Sequence, residues 1–127
     1  SAMRETVAIL GASDDPGRFA HKSMRALAGH GHKVLLVNPS HDQIDGIACY
    51  QDLTACPGRI DTVTVYVRPS ILKTLLDDII NANPYRVILN PGTEDPEIIG
   101  NLREVGIKVQ TACTLVLLDT DQYMAGL

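Results

Sequence analysis

The chain has no tryptophan, a single phenylalanine and three cysteines. Cys49, Cys56 and Cys113 are odd in number and lack metal-ligand spacing, so neither a disulfide framework nor a metal site is expected, and reduced thiols in a cytosolic protein are. No apolar run approaches the ~18 residues that a membrane span requires, and no signal-peptide pattern stands at the start. A soluble, cytoplasmic protein is the expectation. Basic residues are also scarce: eleven Lys and Arg against fifteen Asp and Glu give a net charge of -4. That balance argues against nucleic-acid or anionic-membrane binding, which needs a basic face.

Apolar residues make up 45% and charged residues 20% of the 127 positions, an ordinary globular mixture for one domain. Ser1 and Ala2, ahead of Met3, read as an expression scar, and residues 3–127 as that domain. Short apolar runs rich in β-branched residues recur at Thr6–Leu10, Lys33–Val37, Thr62–Val67, Arg86–Leu89 and Lys108–Thr111. Runs apolar on both faces are those of parallel strands covered on both sides.

Helical spacing joins Phe19, Ala20, Met24, Leu27 and Ala28 before Gly29, and a clearer stripe runs from Ile71 to Ile80. Asp95-Pro96 reads as the N-cap and first residue of a third helix that buries Ile98, Ile99, Leu102 and Val105 and stops at Gly106. Between Asn38 and Asp61 the pattern is weak. Tyr50, Leu53 and Ala55 suggest one short helix there, and the tail after Cys113 suggests a last one. Alternating strand and helix predicts an α/β fold, a doubly wound five-stranded parallel sheet of order 3-2-1-4-5 with helices on both faces.

Candidate binding residues gather at strand ends. Asn38-Pro39, Arg68-Pro69 and Asn90-Pro91 each follow an apolar run, and proline holds the preceding residue extended. Asn38, Arg68 and Asn90 are therefore expected at the carboxyl edge, where open α/β sheets bind ligands.

The first loop, "LGASDDPGRFAHK", places Gly11 straight after the first strand and Gly17 before the first helix. It matches neither G-x-G-x-x-G nor a Walker A loop. A diphosphate held there requires Asp14 and Asp15 to face solvent, contact from Gly11, Ala12 and Ser13, and compensation from Arg18 and Lys22. At the end of the second strand stands Asn38 rather than the acid that usually bonds the ribose hydroxyls of NAD, with Lys33, Ser40 and His41 as nearby polar groups. His30 and His32, in "GHGHK", read as solvated turn residues at the far end of the sheet, and His21 either faces the loop or is exposed. No metal site and no catalytic constellation emerges.

"VAILGAS", "GHKVLLVNP", "IDGIACYQDL" and "IDTVTVYVRP", in that order, resemble the small stand-alone CoA-binding proteins. These are Rossmann-like domains similar to the N-terminal CoA-binding domain of the succinyl-CoA synthetase alpha subunit. The resemblance spans about Thr6 to Cys113 and implies coenzyme A or a short acyl-CoA as ligand, bound by a non-catalytic sensor, carrier or partner module. It implies that Gly11, Ala12 and Ser13 line the pyrophosphate, and that Asn38 and Pro39 flank the adenosine with Ser40 or His41 near its 3′-phosphate. Val67, Arg68 and Pro69 would wall the adenine and ribose. Asn90, Pro91 and Gly92 would lie across the winding reversal, by the pantetheine arm. Cys113, at the end of the fifth strand, would be a redox thiol within reach of the CoA sulfur. Arg18, Lys22, Arg68 and Lys73 are the cations available to an anionic ligand. Two further readings stay open: an NAD(P)-binding domain or small oxidoreductase fragment, and an association subunit with a vestigial crevice. A homo-oligomer or a protein partner is compatible with each.

Overall fold

The computed structural model describes residues 4–126. Seven strands and four helices follow one another: β1 (Thr6–Leu10), α1 (Phe19–Gly29), β2 (Lys33–Val37), β3 (Gln43–Ile44), β4 (Ile47–Tyr50), β5 (Thr62–Val65), α2 (Pro69–Ala82), β6 (Arg86–Leu89), α3 (Pro96–Glu104), β7 (Lys108–Thr111) and α4 (Thr114–Asp119). Short 3-10 turns lie at Leu53–Ala55 and Met124–Gly126. None of the described helices is long and apolar enough to cross a membrane.

The sheet order is β3-β4-β2-β1-β5-β6-β7, parallel throughout except for the β3–β4 pair. The expected five strands in order 3-2-1-4-5 are corrected by this arrangement. A strand unforeseen in the sequence, β4, holds the third place, and the Thr62 strand crosses to the other side of β1. Left without the antiparallel β3, the parallel strands numbered along the chain read 3-2-1-4-5-6, the doubly wound Rossmann order. The winding therefore reverses between β1 and β5, and β6 stands one strand beyond the reversal.

Local chemistry explains the missed strand. Asp45 and Gly46 both take positive φ, 51° and 78°, and form the two-residue turn that an Asp-Gly pair favours between antiparallel strands. His21 on α1 anchors that turn through Nε2, 2.8 Å from Asp45 Oδ2. Tyr50 accordingly ends a strand rather than joining Leu53 and Ala55 on a helix. The Thr62 strand stops at Val65 rather than Val67, because Tyr66 and Val67 leave the sheet towards Arg68, the N-cap of α2. Val105 follows α3 and is exposed, not buried.

Strand residues alternate between two cores. Ala8 and Leu10 pack with Leu72 and Ile79 of α2 and Ile98 and Leu102 of α3. Val7 and Ile9 pack with Met24 and Leu27 of α1 and Leu117 and Leu118 of α4. Helices thus cover both faces, as expected. Asp95 caps α3 by accepting from the Glu97 and Ile98 amides, and Pro96 opens it.

At the amino edge a charged cluster closes the sheet. Arg86 is fully buried and donates to Glu5 (3.2 Å), Thr62 (3.1 Å), Gln110 (3.0 Å) and the Tyr123 carbonyl (2.6 Å). The Tyr123 hydroxyl donates to the same Glu5 oxygen at 2.7 Å, and its ring lies 4.4 Å from the guanidinium carbon. His32, expected as a solvated turn residue, is buried here: its Nδ1 accepts the Glu5 amide at 3.1 Å and its ring meets that of Tyr123. His30 is exposed.

Removing one member of a buried ion pair strands the other in a dry site. Arg86→Met is expected to cost about 3–5 kcal/mol in urea unfolding, with much of that recovered on adding Glu5→Leu. Burial lowers the His32 pKa below 6.5, Glu5 pulls it back up, and His30 and Arg86 lower it further. The unfolded chain therefore takes up this proton first, so the contribution of His32 is complete above about pH 6.5 and is lost as pH falls below it. The Tm advantage of the wild type over His32→Gln should shrink between roughly pH 7.5 and pH 5, read by calorimetry.

Candidate functional site

The carboxyl edge is stitched together at the end of β1. The amides of Gly11 and Ala12 both donate to the Val37 carbonyl, each at 3.1 Å. Asn38 Nδ2 donates to the Ala12 carbonyl at 2.7 Å, and Asn38 Oδ1 accepts the Ser40 amide at 2.8 Å. The loop amides of Gly11 and Ala12 are thus engaged by β2 and are not bare donors for an anion. Ala12 is buried in the core below the loop.

Gly11 has a second constraint. Its φ is 93°, and a Cβ there would stand 2.8 Å from Val67 Cγ1 and 3.2 Å from the Tyr66 carbonyl carbon. Only glycine lets the exits of β1 and β5 pass this closely at the winding reversal.

The acidic pair of the loop divides its roles. Asp15 is exposed but tied locally: its amide donates to Ser13 Oγ (3.1 Å), its Oδ1 accepts the Gly17 amide (2.9 Å) and its Oδ2 lies 4.0 Å from Arg18 Nε. Asp14 is exposed. Arg18 caps α1 in an extended conformation without any side-chain cap, and no acid occupies the first turn. The amides of Ser13, Asp14, Phe19 and Ala20 have no protein acceptor among the described residues. These amides, at the positive end of the α1 dipole, are the anion donors that the loop retains.

Two cavities of opposite character meet at Gly11. One, about 230 Å³, is walled by Leu10, Val37, Pro39, Leu53, Val67, Ile71 and Leu75, with Asn38, Gln51, Asp52 and Asp78 as its polar members. The other, about 400 Å³ and more polar than the first though mixed in its lining, is lined by Ser13, Gly17, Arg18, Phe19, Ala20, Tyr66, Pro91 and Thr93. Phe19 is 65% exposed at its rim with Lys22 Nζ 5.3 Å from the ring centre. The Tyr66 hydroxyl bonds Ser23 on α1, and burial pushes its pKa up, so it remains a neutral donor. A larger cleft of about 510 Å³ lies at the opposite edge, beside Glu5, Asp61, Tyr85 and Lys108. Size favours that cleft. The topology favours the carboxyl edge, where the strand order reverses and helix amides point at the crevice.

The predicted site residues separate. Gly11, Asn38, Pro39 and Val67 line the apolar lobe, and Gly11, Ser13, Arg18 and Pro91 the polar one. Ser40, His41, Arg68, Pro69, Asn90, Gly92 and Cys113 line neither. Pro69 opens α2, and Arg68 is exposed with its Nε on Ser70 Oγ (3.1 Å). Asn90 is buried and fully used: Nδ2 donates to Thr64 Oγ1 (2.7 Å) and the Val65 carbonyl (2.8 Å), while Oδ1 accepts the Thr114 amide (2.9 Å). It joins β5, β6 and α4. The Gly92 amide donates to Glu94. Cys113 is half-buried at the N-cap of α4. Lys33, at the start of β2, stands at the opposite edge from Asn38. His21 is buried rather than exposed. Asp52, Asp78, Phe19 and Tyr66 escaped the sequence reading, and the Asp45-Gly46 turn was the signal for the strand that delivers Asp52. No group of three or more potential metal ligands occurs among the described residues.

Comparison with known proteins gives the family. The profile of a family described as "CoA binding domain" matches residues 5–119. The chain is 27% identical over 100 residues to "Uncharacterized protein YneT" of Bacillus subtilis, covering 79% of this chain and 74% of that one. It is 30% identical over 74 residues to an ADP-forming acetate–CoA ligase of Methanocaldococcus jannaschii, 58% of this chain but 10% of the ligase. The solved structure of a Thermus thermophilus protein superposes with a TM-score of 0.86 at 32% identity, covering 95% of this chain and 92% of the other.

Gly11→Ala tests the seam between the lobes. The added Cβ meets Val67 and forces a positive φ on alanine, so unfolding stability should fall by about 1–3 kcal/mol in urea titration.

Proposed function

Because the chain belongs to the CoA-binding domain family, we propose that it binds coenzyme A or a short acyl-CoA at the carboxyl edge, as a binding module without chemistry of its own. The observation that carries this reading is the pair of lobes meeting at Gly11, one apolar and one polar. An adenosine suits the first, between Val67, Leu53 and the aliphatic face of α2. A diphosphate suits the second, which Ser13, Arg18, Phe19 and Ala20 line, with the Ser13, Phe19 and Ala20 amides lacking a protein acceptor among the described residues. Ligand sites of this kind are mostly apolar with a few placed polar groups. The match to the acetate–CoA ligase takes up 10% of that protein, which fits a portable unit. The lining residues offer surface and hydrogen bonds, and no nucleophile paired with a base stands among the described ones.

Net charge does not oppose an anion here. Arg18 and Lys22 flank the α1 N-terminus, and no acid lies in its first turn. Asp14 and Asp15 remain near, with Asp15 tied to Gly17. Cys113 lines neither lobe, so a mixed disulfide with the ligand thiol is left to its test: incubation with oxidised CoA and intact mass. One observation favours a second reading. Asp52 lines the apolar lobe beside Asn38, so a carboxylate is available to a ribose after all, as in NAD-binding sites.

Thermal shifts with CoA, acetyl-CoA, NAD, NADP and ATP at equal concentration separate these readings. A ligand at a hundred times its Kd adds about 2.7 kcal/mol to native stability. CoA and acetyl-CoA should raise the Tm by several degrees and above the others. NAD in first place would replace this reading with the dinucleotide one, and no response to any would leave an association subunit.

A further inference from the structure

The apolar lobe carries charge of one sign. Asp52, at the turn after β4, and Asp78, on α2, are its only charged lining residues. Asp52 Oδ1 accepts the Thr54 hydroxyl (2.6 Å) and the Ala55 amide (3.0 Å), while Oδ2 has no protein partner among the described residues. The Thr54 hydroxyl first, then the Ala55 amide, hold this carboxyl below its ordinary value, so it is ionised at neutral pH. The cations stand elsewhere. Arg18 lines the polar lobe, Lys22 lies over Phe19, Arg68 is exposed with its Nε on Ser70, and Lys73 is exposed on α2; none of them lines the apolar lobe. In the turn after β2 the Ser40 amide is held by Asn38 Oδ1 and the His41 amide by the Asn38 carbonyl, so its backbone offers an anion no free donor at these two positions.

We propose that this lobe selects an adenosine whose ribose hydroxyls are both free, Asp52 accepting them, and that a phosphate on the ribose 2′ or 3′ oxygen is penalised rather than gripped. The inference rests on the reading of the lobe as the adenosine site. A carboxylate accepts two hydroxyl donors well, whereas a phosphoryl group in their place brings up to two further negative charges towards Asp52 and Asp78. Coenzyme A carries such a 3′-phosphate and dephospho-CoA does not, so the two differ only in the group in question. NAD and NADP differ likewise at the 2′ position. Among otherwise identical ligands the form with an unmodified ribose therefore fits better, dephospho-CoA ahead of CoA, and CoA is accommodated with its 3′-phosphate directed away from the acids.

Isothermal titration with CoA and dephospho-CoA tests this. Dephospho-CoA should bind about three- to tenfold more tightly at low ionic strength, the range for like charges several ångströms apart near a protein surface. The ratio should narrow as salt is raised from roughly 0.05 to 0.5 M. The double variant Asp52→Asn, Asp78→Asn should bring the two ligands to within about twofold. The carboxamide oxygen introduced at position 52 can still accept from Thr54 and Ala55, which protects the fold. CoA binding as tightly as dephospho-CoA or more tightly, or a ratio that the double variant leaves unchanged, overturns the selection while the adenosine site stands. No binding of either ligand overturns both.

Discussion

The Val37 carbonyl is the point on which the carboxyl edge depends. It accepts two successive amides, those of Gly11 and Ala12, so the first loop is pulled across the end of β2 before it turns to α1. On the other side Gly11 lies against Val67 with no room for a side chain. The crossing of β1 between β2 and β5 is thereby over-determined, and the two lobes are the spaces that it leaves. The amides left without a protein acceptor are displaced along the chain as a consequence. They come from Ser13, Asp14 and the opening of α1, not from the glycine itself.

The two edges divide the work. The amino edge concentrates a buried charge network in which Glu5, Arg86, Tyr123 and His32 tie together the start of β1, the start of β6 and the tail after α4. Such a network is costly to desolvate and is tolerated when nearly every polar atom is satisfied. Only Glu5 Oε2 lacks a partner among the described buried side-chain atoms. With the tail locked at that end, the carboxyl edge keeps an uncapped helix start and exposed groups such as Phe19 and Arg18. The buried charge network and the proposed binding edge thus lie at opposite ends of the same strands.

Much of the framework was legible in the sequence. Thr6–Leu10, Lys33–Val37 and Arg86–Leu89 are strands with the expected bounds, because largely buried parallel strands are short apolar runs stopped here by Gly or Asn; Lys108–Thr111, half-exposed at the edge, also has the expected bounds. The strand at Ile47–Tyr50 was not, since it is partly exposed at the side of the sheet and lacks that uniform pattern. Missing it misplaced the Thr62 strand and moved the winding reversal by one strand. Asn90 was thereby expected directly across the winding reversal, whereas Tyr66 and Val67, after β5, occupy the position opposite β1. The Asn-Pro pairs were found as edge positions, but their roles were hidden. An asparagine side chain bonds backbone and ligand equally well, and only the neighbours brought by the fold decide.

Those neighbours show why the strand ends are asparagines. Asn38 bridges β2 to the first loop, and Asn90 bridges β6 to β5 and α4, each with both a donor and an acceptor engaged. An aspartate at either position would lose the donor and place a charge where a backbone carbonyl already points. At Asn38 this means the position used by an NAD-type acid is committed to holding the Ala12 carbonyl. The carboxylate beside the apolar lobe is then supplied from the next strand over, by Asp52, whose own Oδ1 is fixed by Thr54 and Ala55. The chain has thus separated two tasks that one residue combines in an ordinary dinucleotide site, bracing the loop and meeting the ribose. That separation makes the ligand preference a property of Asp52 and Asp78, independent of the asparagine that shapes the loop.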